Sequence, residues 1–171
     1  MMQHIILIGF MGTGKSTVGQ EVAKKLGCSF ADLDAAVVAL EGRTIPDIFA
    51  SDGEAYFREQ ESHVLAGILN SPTRHVIATG GGIVLQESNR ELMRNGGFIV
   101  HLAASKETIL SRVKRDRNRP LLQGDVEERV SKLMQQREGL YDFAHTTVLT
   151  DHETAVQLAA RICKLVEGNC K

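Results

Sequence analysis

One segment near the N-terminus decides how this chain folds: Gly9-Phe10-Met11-Gly12-Thr13-Gly14-Lys15-Ser16-Thr17. It matches the pattern G-x-x-x-x-G-K-[ST], a loop whose backbone N–H groups surround the phosphates of a nucleotide. Glycines are needed there because a side chain would hold the backbone away from the phosphates or forbid the turn. We expect Lys15 to reach the β- and γ-phosphates and the Ser16 hydroxyl to bind Mg²⁺. The segment therefore predicts a nucleotide-phosphate site.

The residues on either side of this loop support that prediction. The apolar run Ile5-Ile6-Leu7-Ile8 precedes it as a strand, and Val18, Val22 and Leu26 follow it at helical spacing. The phosphates would then lie at a helix N-terminus, where free N–H groups and the helix dipole favour anions. The alternative is a glycine-rich turn that binds nothing. The nucleotide-binding residues of the loop are expected to be Gly12, Thr13, Gly14, Lys15, Ser16 and Thr17.

The composition is that of an ordinary globular protein. The 171 residues are 43% hydrophobic and 24% charged, and their number predicts one domain, 1–171. A formal net charge of −1 gives no general attraction to nucleic acid, and no apolar run approaches a membrane span. The three cysteines suggest neither a disulfide nor a zinc site, and the first residues lack the regions of a signal peptide. We expect a cytoplasmic protein without nucleic-acid or membrane partners.

Predicted strands and helices alternate along the chain. The strands are short and apolar, as buried parallel strands are, and fall at about 4–9, 28–32, 75–79, 97–102 and 146–150. Helical periods cover residues 15–26, 34–41, 53–69, 86–95, 105–114, 125–138 and 152–167. This alternation predicts a three-layer α/β fold, with a five-stranded parallel sheet covered by helices on both faces. Ligands would bind at the carboxyl ends of the strands.

One segment, residues 114–124, interrupts this alternation. It carries four basic residues and little apolar character, and Pro120 and Gly124 disfavour a helix. With Arg112 it forms a basic patch, for which nucleic-acid binding is one explanation, but no aromatic residue interleaves the cations. A mobile lid over the nucleotide, at about 112–124, explains the patch more economically, with one arginine neutralising the transferred phosphate.

Other patterns narrow the class of phosphate-binding protein. The N-K-x-D and D-x-x-G patterns of GTPases do not occur in the sequence. Of the strands predicted at 28–32, 75–79 and 97–102, only the first has acidic residues at its carboxyl end, Asp32 and Asp34, which point to the same side of an extended segment. Asp32 suits a water-mediated Mg²⁺ contact beside Ser16. Asp34 either acts on a substrate hydroxyl or caps a helix starting at Ala35, or does both.

Three consecutive glycines, Gly80-Gly81-Gly82, follow the strand predicted at 75–79. Bare backbone at the end of a buried strand can approach a small ligand closely and offer it N–H groups. The alternative is a flexible turn before the next helix.

Two arginines are placed to recognise an anion. Arg137 falls on the apolar stripe of the helix predicted at 125–138, so its charge needs an anionic partner from the protein or from a ligand. Arg58 precedes Glu61 by three residues on another predicted helix. That pair is either an exposed ion pair of little energetic value or an arrangement in which Glu61 orients Arg58 toward a substrate carboxylate.

Together these motifs resemble those of the shikimate kinase family, within the nucleoside-monophosphate-kinase-like group of P-loop folds. The resemblance covers nearly the whole chain. Beyond the generic phosphate loop, its motifs are Asp32-Leu33-Asp34, Phe57-Arg58 with Glu61, Gly80-Gly81-Gly82, Arg119-Pro120-Leu121-Leu122, and Arg137 followed by Tyr141. Many members have a small polar residue in place of Leu33, whose side chain we expect to point away from the site.

The resemblance implies an activity and a set of site residues. Family members transfer the γ-phosphate of ATP, with Mg²⁺, to the 3-hydroxyl of shikimate, a step toward aromatic amino acids. They have strand order 2-3-1-4-5 and are usually monomers, and the substrate-binding region would lie at about 33–61. The implied substrate-binding residues are Asp34, Arg58, Gly80, Gly81, Gly82 and Arg137. Arg112 would stack on adenine and Arg119 would approach the phosphates of the nucleotide. Lys15, Asp34 and Arg119 would act in catalysis.

Two other kinds of enzyme share these general features, namely gluconate-type kinases and nucleoside monophosphate kinases. The triple glycine and the two arginines, Arg58 and Arg137, suit a compact carboxylated polyol better than a nucleotide. A catalytically silent binding module would have lost Lys15, Asp34 or a substrate arginine, and this chain retains all of them.

Overall fold

The computed structural model describes residues 4–114 and 125–169 of the chain. A five-stranded, all-parallel sheet lies at its centre, in the order β2-β3-β1-β4-β5. The strands are β1 (His4–Ile8), β2 (Ser29–Asp32), β3 (His75–Ala78), β4 (Gly97–Ala103) and β5 (Thr146–Leu149). The predicted α/β class, the five strands and their order are confirmed.

Helices cover the sheet. In the described ranges they are α1 (Lys15–Leu26), α2 (Leu33–Glu41), α3 (Ile45–Ser51), α4 (Gly53–Leu69), α5 (Glu87–Gly96), α6 (Lys106–Val113), α7 (Val126–Gln136) and α8 (Ala155–Asn169). All but α3 correspond to a predicted helix. A 3-10 turn, Ile83–Leu85, follows the three glycines and was also not predicted. Within the same ranges, no helix combines the length and the apolar character that crossing a membrane would require.

Helix α3 was missed because it is only seven residues long and contains Pro46. Proline is tolerated in the first turn of a helix, where its missing N–H has no partner in any case. The Thr44 hydroxyl caps the helix by accepting a hydrogen bond from the Asp47 N–H at 3.3 Å. The sequence therefore contains the capping threonine and the proline typical of a helix N-terminus. The helix is too short, however, for its apolar periodicity to be recognised.

The alternation of side chains along β1 divides the core into two clusters. Ile5 and Leu7 pack with residues of α1 and α8, whereas Ile6 and Ile8 pack with residues of α4 and α5. Leu33 is fully buried in the second cluster, so it points away from the crevice as expected. Since β1 is the central strand and wholly buried, the loop that follows it is anchored to both halves of the sheet.

Candidate active site

The phosphate loop connects the end of β1 to the start of α1. Gly14 is the N-cap residue of α1 with φ 89°, a left-handed conformation that L side chains rarely adopt, and it offers no side-chain cap. Because the N-cap residue is a glycine, no side chain of that residue bonds the first N–H groups of α1. An anion-binding helix terminus requires such N–H groups to be available. Lys15 is buried, and its Nζ donates to the Gly9 and Phe10 carbonyl oxygens at 2.8 and 2.9 Å. The lysine is therefore held across its own loop.

A cavity of about 280 Å³ opens over this loop. Its lining residues are Gly12, Gly14, Lys15, Ser16, Thr17, Asp32, Asp34, Thr79, Gly81 and Arg112. All of these except Thr79 were singled out from the sequence. The Thr79 hydroxyl donates to the Leu7 carbonyl at 2.9 Å, which ties the end of β3 to β1 beneath the cavity. A threonine at the end of a buried strand carries no distinctive sequence signal, so this residue was missed.

Asp32 connects the phosphate loop to α2. Its Oδ2 accepts a hydrogen bond from the Ser16 hydroxyl, and its Oδ1 accepts one from the Ala35 N–H at 3.1 Å. Asp32 is therefore the N-cap of α2, which begins at Leu33. The alternative that Asp34 caps this helix is wrong, because the neighbouring acid already does so.

Two carboxyl groups meet beside Gly80. Asp34, in the first turn of α2, has its Oδ1 3.0 Å from the position that a Cβ atom on Gly80 would take. Glu61 of α4 is fully buried, and its Oε1 crowds the same position. Burial raises the pKa of the Glu61 carboxyl, and the Asp34 carboxylate raises it further, while the charges of Arg58 and Arg137 oppose the rise.

Arg58 is held by two carboxylates of its own helix. Its Nη1 donates to Glu61 Oε2 at 2.9 Å, and its Nη2 donates to Glu54 Oε1 at 3.0 Å. The Arg58 side chain is only 11% exposed, so the alternative of an exposed ion pair is wrong. Its guanidinium lies directly against Gly82. Glu54 was not predicted, although its spacing of four residues from Arg58 is a signal for such a contact.

Arg137 follows directly after α7, which ends at Gln136, earlier than predicted. The residue is 2% exposed, and its Nε and Nη1 are buried without a hydrogen-bond partner among the described residues. Its Nη1 lies 3.2 Å from the position of a Cβ atom on Gly81. Burial lowers the pKa of the Arg137 guanidinium, but arginine keeps its charge because its pKa starts so high. No carboxylate among the described residues forms a hydrogen bond with Arg137 Nε or Nη1, so a ligand anion stays the prediction for this charge.

Arg112 lies within α6 and connects the phosphate loop to the end of β5. Its guanidinium donates to the Gly12 carbonyl at 3.0 Å, to the Thr150 hydroxyl at 3.1 Å and to the Thr150 carbonyl at 2.9 Å. A second cavity, of about 250 Å³, borders Arg112 and Thr150 on the side of the phosphate loop. Thr150 was not predicted, because its contact depends on the order of the strands and not on any local motif.

The interval predicted as a lid, about 112–124, falls only partly within the described residues. Arg112 and Val113 form the last turn of α6, so a lid beginning at 112 would include that turn. Arg119, predicted to approach the phosphates, lies outside the described residues, as do Pro120 and Gly124.

A phosphate loop after the central strand of a parallel 2-3-1-4-5 sheet, with acids and arginines gathered at its carboxyl edge, defines a P-loop kinase. The chain belongs to the shikimate kinase family, whose family model, "Shikimate kinase", matches residues 11–167. The shikimate kinase of Thermodesulfovibrio yellowstonii is 42% identical over 167 residues, which are 97% of this chain and 96% of that protein.

Solved structures agree with this assignment. Shikimate kinase from Acinetobacter baumannii in complex with shikimate superimposes with a TM-score of 0.94 at 40% identity, covering 98% of this chain and 94% of that one. A gluconokinase from Sinorhizobium meliloti 1021 matches with a TM-score of 0.60 at 19% identity, over 99% and 98% of the two chains. The second match reflects the fold alone, so the fold does not by itself separate the two kinds of kinase.

Proposed function

We propose that this kinase transfers the γ-phosphate of ATP to the 3-hydroxyl of shikimate, in the pathway to chorismate and the aromatic amino acids. One observation carries the choice of substrate: Arg137 is a buried cation whose Nε and Nη1 have no hydrogen-bond partner among the described residues, and its Nη1 lies beside Gly81. A guanidinium in that state needs an anion, and a carboxylate is the planar partner that fits its geometry. The relative from Acinetobacter baumannii was solved in complex with shikimate, which is a carboxylate.

The three glycines place the substrate-recognition groups around one short segment. Gly80 meets the Asp34 and Glu61 carboxyls, Gly81 meets Arg137, and Gly82 meets Arg58. A carboxylated ring lying against this backbone would offer its carboxylate to the arginines and its hydroxyls to Asp34. Arg58 is already neutralised by Glu54 and Glu61, so we assign the larger share of carboxylate binding to Arg137.

The nucleotide half of the site is the phosphate loop. The family uses ATP as its co-substrate, and we assign its phosphates to the backbone of the loop and to Lys15. The cavity between Arg112 and Thr150 suits the nucleoside, with Arg112 beside the adenine. The contribution of Arg119 to the transferred phosphate stays a prediction from the family motif.

Ser16 and Asp32 fit the Mg²⁺ that the family implies. Both offer hard oxygen donors at the rim of the phosphate cavity, and the hydrogen bond between them holds the Ser16 hydroxyl in place. We propose that Ser16 binds the ion directly and Asp32 through water. The ion would neutralise charge on the β- and γ-phosphates.

Asp34 would act on the reacting hydroxyl. It accepts a hydrogen bond from the shikimate 3-hydroxyl and keeps that oxygen in line with the γ-phosphorus. The oxygen forms the new bond to phosphorus as the bond to the β–γ bridging oxygen of ATP breaks, which releases ADP. The hydroxyl proton passes to Asp34 late, because a loose transition state demands little proton removal early.

The test of this proposal is ADP formation with Mg²⁺ and ATP in the presence of shikimate, gluconate or one of a set of nucleoside monophosphates. We expect turnover with shikimate alone. Turnover with a nucleotide or with gluconate, and none with shikimate, would overturn the assignment. The carboxylate role is tested by Arg137→Ala, which should raise the KM for shikimate at least tenfold, since charge-assisted hydrogen bonds are worth about 1.5–3 kcal/mol. The control is Arg161→Ala, which removes an exposed arginine of α8 that pairs with Glu153, a residue before that helix.

We further propose that the enzyme works as a monomer in the cytoplasm, as family resemblance and composition predict. Light scattering of the purified protein across a range of concentrations measures the first point. A mass that stayed at twice the 18.7 kDa of the chain on dilution would contradict it.

A further inference from the structure

The Arg137 guanidinium is buried, and the Tyr141 hydroxyl is a polar neighbour that raises its pKa against the effect of burial. Its backbone is fixed, because its N–H donates to the Leu133 and Met134 carbonyls at 3.2 Å. Its side chain, in contrast to that of Arg58, has no carboxylate partner at Nε or Nη1 among the described residues. The position of the guanidinium must therefore depend on the groups packed around it.

Two aromatic side chains pack near this guanidinium. The Phe10 ring lies on one side, with its centroid 5.2 Å from Arg137 Cζ. Tyr141 follows four residues later, after a turn in which the Leu140 N–H donates to the Arg137 carbonyl at 3.1 Å. Burial raises the pKa of the Tyr141 hydroxyl while the nearby Arg137 charge lowers it, as expected for a phenol beside a guanidinium.

Tyr141 is itself held by the sheet. Its ring stacks on the His101 ring, with centroids 4.5 Å apart and planes within 8° of parallel. His101 belongs to β4 and is in register with Ile8, the last residue of β1 before the phosphate loop. The stacked pair thus connects Arg137 to the rigid centre of the molecule.

The space on the other side of these groups is open. A cavity of about 440 Å³ borders Phe10, His101, Met134, Arg137 and Tyr141, and its walls are mostly apolar. If the tyrosine ring were removed, the guanidinium would have room to move away from Gly81. Packing in this region is therefore too incomplete to replace Tyr141.

We propose that Tyr141, stacked on His101, is a positioning residue that keeps the Arg137 guanidinium beside Gly81, where it meets the carboxylate of the substrate. This inference rests on the proposed function, because it takes a carboxylate as the partner of Arg137. It assigns to the aromatic pair a part in substrate affinity and none in the transfer step.

The first experiment compares steady-state constants. Tyr141→Leu is expected to raise the KM for shikimate about tenfold, equal to about 1.4 kcal/mol, with the KM for ATP and kcat changed less than about threefold. Tyr141→Phe keeps the stacked ring and should restore most of the loss. The matched control is Phe143→Leu, an aromatic residue of the same segment that packs on Arg94 at 5.2 Å instead, and it should leave the KM for shikimate unchanged.

A second measurement separates positioning from general loosening. Calorimetry compares shikimate with its carboxamide, which lacks the charge that Arg137 recognises. The loss of affinity when the carboxamide replaces shikimate should be smaller in Tyr141→Leu than in the natural protein. We expect that loss to be smaller in His101→Leu as well. An unchanged amide penalty in both variants, or equal rises in the two KM values, would overturn the inference. Failure of the natural protein to phosphorylate shikimate would instead overturn the proposed function.

Discussion

At the scale of single residues, the three glycines Gly80, Gly81 and Gly82 also make room for side chains of the protein itself. The sequence predicted that bare backbone at Gly80-Gly81-Gly82 admits a ligand, and the structure adds that it admits the protein's own functional side chains. A Cβ atom on Gly82 would overlap the Arg58 guanidinium, and one on Gly81 would come within 3.2 Å of Arg137. These glycines let two cations approach the same backbone.

Gly82→Ala should therefore displace Arg58. We expect the KM for shikimate to rise roughly tenfold and the free energy of unfolding to fall by about 1–3 kcal/mol, as is usual for overpacking. The control is Gly67→Ala on α4, where an added Cβ meets nothing within 4 Å and the helix gains about 0.5–1 kcal/mol. Kinetics and thermal unfolding measure both effects. An unchanged KM for shikimate in Gly82→Ala would mean that substrate binding does not depend on the position of Arg58 beside Gly82.

Asp34→Asn tests the group assigned to the substrate hydroxyl. We expect kcat to fall at least about 100-fold, the lower end for loss of a positioned acid–base group. Nucleotide affinity should remain, because Asp32 and not Asp34 contacts Ser16 and caps α2. Single-turnover kinetics and ATP binding measure these outcomes, with Asp47→Asn in the first turn of α3 as control. A normal kcat would remove Asp34 from the mechanism.

At the level of elements, periodicity predicted every strand and all the longer helices. It failed for α3, where a proline and a short length conceal the helix, and for the end of α7, which stops just before Arg137. Local motifs also supplied most of the phosphate cavity. They did not supply Thr150 beneath Arg112 or His101 beneath Tyr141, because these contacts join residues 38 and 40 positions apart through the order of the strands.

The N-terminal turn of helix α6 is held by an acidic side chain from the loop that follows β5. Asp151, after β5, accepts hydrogen bonds from the Ser105 N–H at 2.9 Å and the Thr108 hydroxyl at 2.7 Å, at the start of α6. These bonds lower the pKa of Asp151 to about 2. A carboxyl whose pKa is lowered by folding contributes stability above its ordinary pKa, and this contribution is lost as the pH falls through about 2.

Asp151→Ala should loosen α6 and with it Arg112. We expect the KM for ATP to rise about three- to tenfold, in keeping with the loss of about 1 kcal/mol for a typical hydrogen bond, while the KM for shikimate stays unchanged. Glu107→Ala, which removes an exposed acid from the first turn of the same helix, is the control. An equal rise in both KM values would contradict a role confined to the nucleotide side.

At the level of the whole molecule, His4 joins three elements at the end of the sheet opposite the site. Its Nδ1 accepts from the His75 N–H at 3.2 Å, and its Nε2 lies 3.2 Å from the Leu69 carbonyl. Burial lowers the pKa of His4, and the nearby His75 and Arg74 lower it further, against the effect of the Leu69 carbonyl. The neutral imidazole is therefore the form that fits the folded protein.

The fold should consequently lose stability in mild acid. The contribution of His4 is complete above the unfolded pKa of about 6.5 and is lost as the pH falls from there through the lower folded value. We expect the drop in Tm between pH 8 and pH 5 to be smaller in His4→Asn than in the natural protein. Substitution of the exposed His63 by Asn should leave that drop unchanged. An identical drop in His4→Asn would show that other groups account for it.

Leu33 anchors the segment Asp32-Leu33-Asp34 to the core of the protein. The leucine is buried in the core, while Asp32 before it contacts Ser16 of the phosphate loop and Asp34 after it lies beside Gly80. Because both acids are bonded to this one buried residue, the backbone positions of Asp32 and Asp34 depend on the same core contact. If Asp32 and Asp34 act as proposed, the spacing between the donor and the acceptor of the phosphate depends on a buried residue that contacts neither of them.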